Sequence, residues 1–128
     1  MDKSMLQREY VLNATSKSIL WTAISTPIGL EGWFADRVLA NGKMLTFCWG
    51  KAERREAEIL ASRVQSYIRF RWLDSSSERE YFELRMLCSE LTNDVVLEVI
   101  DFAPSSEVDD LSELWDTQVE TLRRTCGF

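Results

Sequence analysis

Apolar residues return along this chain with two periods, and the change from one to the other separates strands from helices. Between Tyr67 and Leu73, Ile68, Phe70 and Trp72 alternate with Tyr67, Arg69 and Arg71. From Glu80 to Cys88, Phe82, Leu84, Met86 and Cys88 alternate with Glu83 and Arg85. Val95 to Phe102 repeats the pattern, with Val95, Leu97, Val99 and Asp101 on one side and Val96, Glu98 and Ile100 on the other. A period of two means strands with one buried face. After Pro104 the period lengthens: Val108, Leu111, Trp115, Val119, Leu122 and Cys126 share one helical stripe opposite Glu113, Glu120 and Arg124. Ser106 is the expected cap and Gly127 the expected left-handed stop. Acids at the start and Arg123 and Arg124 at the end suit the helix dipole.

The first half is read the same way. Leu6 to Asn13 is a strand. Thr15 caps a short helix through Ser25 whose inner side is Ile19, Leu20, Ala23 and Ile24. Thr26-Pro27, a capping hydroxyl followed by proline at the first helical position, starts a second short helix. That helix is expected to carry Leu30, Trp33 and Phe34, bent at Gly32. Arg37–Ala40 and Lys43–Trp49 form a hairpin about Asn41-Gly42, a pair suited to a type I′ turn. Glu53–Arg63 is a strand with Ala57, Ile59 and Ala61 on one face, and its run of Glu53, Arg54, Arg55, Glu56 and Glu58 is expected to be a solvated face guarding an edge. Ser75–Ser77 and Thr92–Asp94 are polar turns. The order is strand, two short helices, a meander of about six strands, one long helix. Tight turns force antiparallel pairing. The class is therefore α+β: a curved antiparallel sheet of six or seven strands around the C-terminal helix, with residues 1–128 as one domain.

Composition narrows the function classes. The net charge of −6 opposes nucleic-acid binding. The complete lack of histidine removes Ser-His and Cys-His catalysis and the commonest metal ligand, so neither metal nor cofactor is expected and no catalytic residue is assigned. Cys48, Cys88 and Cys126 match no disulfide or metal spacing and are read as reduced core fillers of a cytoplasmic protein. No apolar run is long enough to span a membrane as a helix.

This order of elements, with particular residues in it, resembles the START-like (helix-grip, SRPBCC) superfamily, in the branch similar to the activator of the heat-shock-protein ATPase. The residues that carry the likeness are Thr26-Pro27 to Leu30, Trp33-Phe34, Asn41-Gly42-Lys43, Arg69-Phe70-Arg71-Trp72, Asp101-Phe102-Ala103 and Leu114-Trp115 with Leu122. The resemblance implies a sheet gripping the last helix, an apolar cavity between them and a mouth near the short helices. Activities in the superfamily run from lipid and hormone binding through polyketide cyclisation to co-chaperone work. A full co-chaperone activator has a further amino-terminal domain, for which this sequence has no room.

Nine residues are candidates for lining such a cavity: Trp33, Phe34, Phe70, Trp72, Phe82, Met86, Asp101, Trp115 and Gln118. The large inward rings suit a packed core as well as a hollow. Trp33 and Phe34 are either a plug in one end of the sheet or a movable lip over a pocket. Asp101 and Gln118 are polar where the pattern expects apolar side chains, and either lie near an open end, wetted or bonded to backbone, or orient a ligand's polar group. The leading expectation is a module that binds a small hydrophobic or amphipathic ligand. A co-chaperone-like protein-interaction module, presenting Trp33-Phe34 or the acidic helix face, is the alternative. A cyclase or hydrolase working through carboxylates and tyrosines is the weaker one. Val96 and Ile100, apolar on the outer side, leave monomer and homodimer both open.

Overall fold

Strands joined by tight turns pair with their chain neighbours. They do so in the computed structural model, which describes residues 3–13, 17–75 and 80–128. The elements are β1 (Lys3–Leu12), α1 (Lys17–Ser25), α2 (Pro27–Leu30), β2 (Arg37–Asn41), β3 (Met44–Trp49), β4 (Glu53–Arg63), β5 (Tyr67–Trp72), β6 (Phe82–Cys88), β7 (Val95–Pro104), a 3-10 turn (Ser105–Glu107) and α3 (Val108–Cys126). All seven strands form one antiparallel, curved sheet in the order β1-β7-β6-β5-β4-β3-β2. Strand β1 pairs with β7 rather than β2, so α1 and α2 carry the chain from one edge of the sheet to the other. This is the helix-grip arrangement expected from the sequence.

Helix α3 lies in the curve. Trp115, Val119 and Leu122 are buried, with Val108, Leu111 and Cys126 half-buried beside them. Each full burial of such a side chain is worth about 1.5–3 kcal/mol, which is what fixes the helix to the sheet. Arg123 Nη2 also donates to Val11 O at 3.0 Å, tying the last turn to an edge strand. Gly127, at φ 73°, makes the left-handed stop.

The short helices close one end. Thr26 Oγ1 accepts from Gly29 N at 2.9 Å, the expected cap, with Pro27 at the first turn. Gly29 is there because α2 presses on α1: a Cβ at this position would stand 1.9 Å from Thr22 O. No helix among the described residues is long and apolar enough to cross a membrane.

Several local expectations give way. The hairpin loop is Gly42–Lys43, with Asn41 still paired to Met44. Only Gly42 has positive φ there, so glycine occupies the first central position, the signature of a type II′ turn. Helix α2 ends at Leu30, and Trp33 and Phe34 sit in the turn beyond it rather than on the helix. Ser106 caps nothing; the chain enters α3 through the 3-10 turn. A bulge between Ile59 and Ala61 sets Ala61 opposite Arg69, off the inner face that Ala57 and Ile59 share. Strand β4 lies inside the sheet, not at an edge. Cys88 is exposed rather than a core filler, whereas Cys48 and Cys126 are half-buried, and all three are free. Thr15, the expected cap of α1, lies outside the described residues.

Candidate functional site

The first three turns of α3 stand over the ends of β3, β4 and β5. Residues three and four apart on a helix share a face, so Leu111, Leu114, Trp115 and Gln118 all look toward these strand ends. Facing them are Trp49 from β3, Glu53 and Arg55 from β4, Trp72 from β5, Asp101 from β7 and Phe34 from the turn after α2. Together they enclose an open cleft of about 270 Å³. A second hollow of about 150 Å³ adjoins it through the shared Arg55, Trp72, Asp101 and Leu111, and extends past Lys3, Asp74 and Tyr81. The larger hollow lies just below the usual ligand-pocket range of roughly 300–1,000 Å³.

Its floor is a continuous aromatic stack. Phe34, itself buried, lies 5.0 Å from Phe47, 5.6 Å from Phe82 and 5.6 Å from Trp115, ring centre to ring centre. Trp72 stacks on Phe82 at 4.9 Å, and Phe82 on Phe70 at 4.8 Å. Such contacts add about 0.5–1.5 kcal/mol each beyond burial and make the floor rigid.

The polar groups are fixed one by one. Trp115 Nε1 donates to Asp101 Oδ2 at 2.9 Å, and the Phe102 backbone N–H donates to Asp101 Oδ1 at 2.8 Å. Burial pushes the Asp101 carboxyl up to about 6, against the opposing pull of those two donors and of Arg55 and Lys3. Phe34 O accepts from both Trp49 Nε1 (2.8 Å) and Gln118 Nε2 (3.0 Å), which ties the turn after α2 to β3 and α3. At the mouth, the Arg55 guanidinium lies 3.9 Å over the Trp72 ring, and its Nε and Nη2 hold Asp74 at 3.0 and 2.8 Å. The hydrogen bond from Arg55 keeps the Asp74 carboxyl below the usual carboxylate range.

A sheet wrapped on a terminal helix with a cleft between them is a recognisable shape, and the family model described as "START-like superfamily domain" matches residues 1–128. The chain belongs to the START-like superfamily. Among solved structures, protein BfR322 from Bacteroides fragilis shares 61% identity over 100% of this chain and 94% of its own, with a TM-score of 0.69. The Aha1 dimer from Colwellia psychrerythraea matches at 11% identity and TM-score 0.74, over 93% of this chain and 92% of that one. DynU16, a putative protein in the dynemicin biosynthetic locus, matches at 19% identity and TM-score 0.76, over 94% of this chain and 46% of its own. The last two likenesses are of fold. No protein with curated function matches the sequence.

Within this START-like fold, Phe34, Trp72, Asp101, Trp115 and Gln118 come together around the cleft. Phe70 and Phe82 lie beneath it as floor, with relative exposures of 0% and 1%. Trp33 packs edge-on against Phe34 and donates its indole N–H to Ala23 O at 2.9 Å, holding α1 rather than facing the hollow. Met86 lies elsewhere, in a minor hollow with Lys17, Gln65 and Val95. Trp33 and Phe34 are each 4% exposed, so an interaction surface built on them is not presented to solvent.

Trp49, Glu53, Arg55, Leu111 and Leu114 were not among the nine cavity candidates read from the sequence. The missed signal is the alternation itself: continuing the inward Ile59 and Ala57 back by twos gives Arg55 and Glu53. Register agrees, since Arg55 opposes the fully buried Phe47 and Glu53 opposes Trp49.

Proposed function

We propose that this protein binds a small, largely apolar molecule with one polar group, in the cleft between α3 and the ends of β3, β4 and β5. The observation that carries this reading is Asp101: a carboxyl set into a wall of tryptophan rings, held by Trp115 Nε1 and still bordering both hollows. An interior serving stability alone has no use for that arrangement, because burying the charge is costly. Removal of the ligand's apolar surface from water would supply about 25 cal/mol for each Å², and Asp101 with Gln118 would set its orientation. Arg55, resting on Trp72, would close over it.

Native mass spectrometry of freshly purified protein tests the proposal. A bound mass that disappears in Leu111→Trp, which fills the hollow, is the expected result. A wild type that carries no adduct, and whose tryptophan fluorescence is unmoved by small aromatic alcohols and amines, overturns it.

A further inference from the structure

The hydrogen-bonding capacity left over in the cleft is lopsided. Of the three tryptophans that line the larger hollow, two have their indole N–H already committed, Trp115 to Asp101 and Trp49 to Phe34 O. One of the two Gln118 amide N–H groups is committed too, since a backbone carbonyl accepts from it and thereby fixes which way the amide points. The acceptors are not used up. Asp101 receives two hydrogen bonds, and a carboxylate has about four acceptor sites. Gln118 Oε1 and the Glu53 carboxylate, both lining the hollow, receive none among the described residues. Among the described residues around both hollows the charged side chains are Lys3 and Arg55 against Glu53, Asp74, Glu80 and Asp101, so acids outnumber bases there.

The apolar surface has a matching preference. The face of an indole attracts cations, and here the protein's own cation, Arg55, already lies on Trp72 at 3.9 Å. Its charge is met by the bidentate pairing with Asp74, which leaves Asp101 and Glu53 to act on whatever enters.

We infer that the cleft selects molecules that bring hydrogen-bond donors and positive charge: an amphipathic amine whose ammonium points at Asp101 and whose apolar body lies along Trp49, Trp72 and Trp115. A carboxylate-bearing molecule of the same size is disfavoured, because it adds acceptors where acceptors are already unmatched. The inference rests on the proposed ligand-binding role and names the chemical class of the ligand.

Three probes sharing a phenylethyl body separate the two statements: 2-phenylethylamine, 2-phenylethanol and 3-phenylpropionate. Each is titrated at pH 7.5 against the full chain, following the indole N–H signals of Trp49 and Trp115 by NMR. The amine is expected to bind at least about tenfold more tightly than the carboxylate, the ratio that about 1.4 kcal/mol of cation–π and charge attraction gives. The alcohol is expected to fall between them. In Asp101→Asn the advantage of the amine should shrink to about threefold or less, and in Glu53→Gln, an exposed position, it should shrink but survive. Equal or tighter binding of the carboxylate, or an amine advantage unchanged in both variants, overturns the inference while leaving ligand binding standing. If none of the three moves those indoles at millimolar concentration, the ligand-binding role falls with it.

Discussion

Asp101→Asn tests the physics of the cleft with no ligand at all. The folded protein holds this carboxyl at about 6 instead of its ordinary 3.8, chiefly because burial disfavours the charged form. An unfolded chain therefore loses the proton near pH 4, and the folded chain keeps it until about pH 6. Between those values the folded state binds more protons, so Asp101 makes stability fall as pH rises; from about one unit above the folded value, near pH 7, the loss is complete and constant. Two pH units at about 1.4 kcal/mol each give about 3 kcal/mol. Asparagine does not titrate but keeps the shape and an oxygen for Trp115 Nε1, though it cannot keep both acceptor roles toward Trp115 and Phe102 N. That lost bond is a pH-independent offset of about 1 kcal/mol or somewhat more. Urea unfolding of both proteins from pH 4 to 7.5 isolates the effect, since every other carboxylate, Asp74 included, cancels in the difference. The stability of Asp101→Asn relative to wild type should climb by about 2.5 kcal/mol over that range, the rest of the change lying below pH 4, and level off above pH 7. A flat difference, or one that falls with pH, would refute the assignment of Asp101 as a charge held in an apolar wall.

Other substitutions probe the frame around it. Gly29→Ala should lower stability by about 3 kcal/mol or more in thermal or urea unfolding, because its Cβ would collide with the Thr22 backbone at 1.9 Å and backbone cannot give way cheaply. Glu83→Gln should cost about 2–3 kcal/mol: this carboxylate on the outer face is 2% exposed and receives Arg69 Nε at 2.8 Å and Arg85 Nε at 3.1 Å, so two guanidinium groups lose their counter-charge. Arg55→Ala should change stability by only about 1 kcal/mol or less, since its side chain and that of Asp74 are 37% and 60% exposed. The same variant should speed probe dissociation in stopped-flow fluorescence, because Trp72 loses its cover.

Much of the fold was readable because each strand obeys one period and each turn is short. Strand β4 was recovered at its observed bounds, Glu53–Arg63, even though its face assignment fails after Leu60. A bulge inserts one residue without any required side-chain type, so alternation alone does not reveal it. The site was legible in half. Asp101 and Gln118 stood out as polar residues in apolar patterns, whereas Arg55 and Glu53 were hidden in a charge run that looks the same whether it faces water or a cleft. The two faces of a strand are assigned from its apolar members, and β4 has few of them at that end. Met86 and Trp115 carry the same kind of inward signal in sequence, yet one lies in the minor hollow beside Gln65 and the other in the cleft. Which end of the sheet a residue occupies depends on strand order and curvature, properties of the assembled sheet rather than of any one stretch.

The measurement that bears most directly on the central claim is where a small molecule sits. An isotope-filtered NOE spectrum of the labelled protein with unlabelled 2-phenylethanol would report it by contact. The account predicts NOEs from the phenyl protons to the side chains of Trp72, Leu111 and Trp115. NOEs confined instead to Ile19 and Ile28, which line a separate groove between α1, α2 and the end of α3, would contradict it.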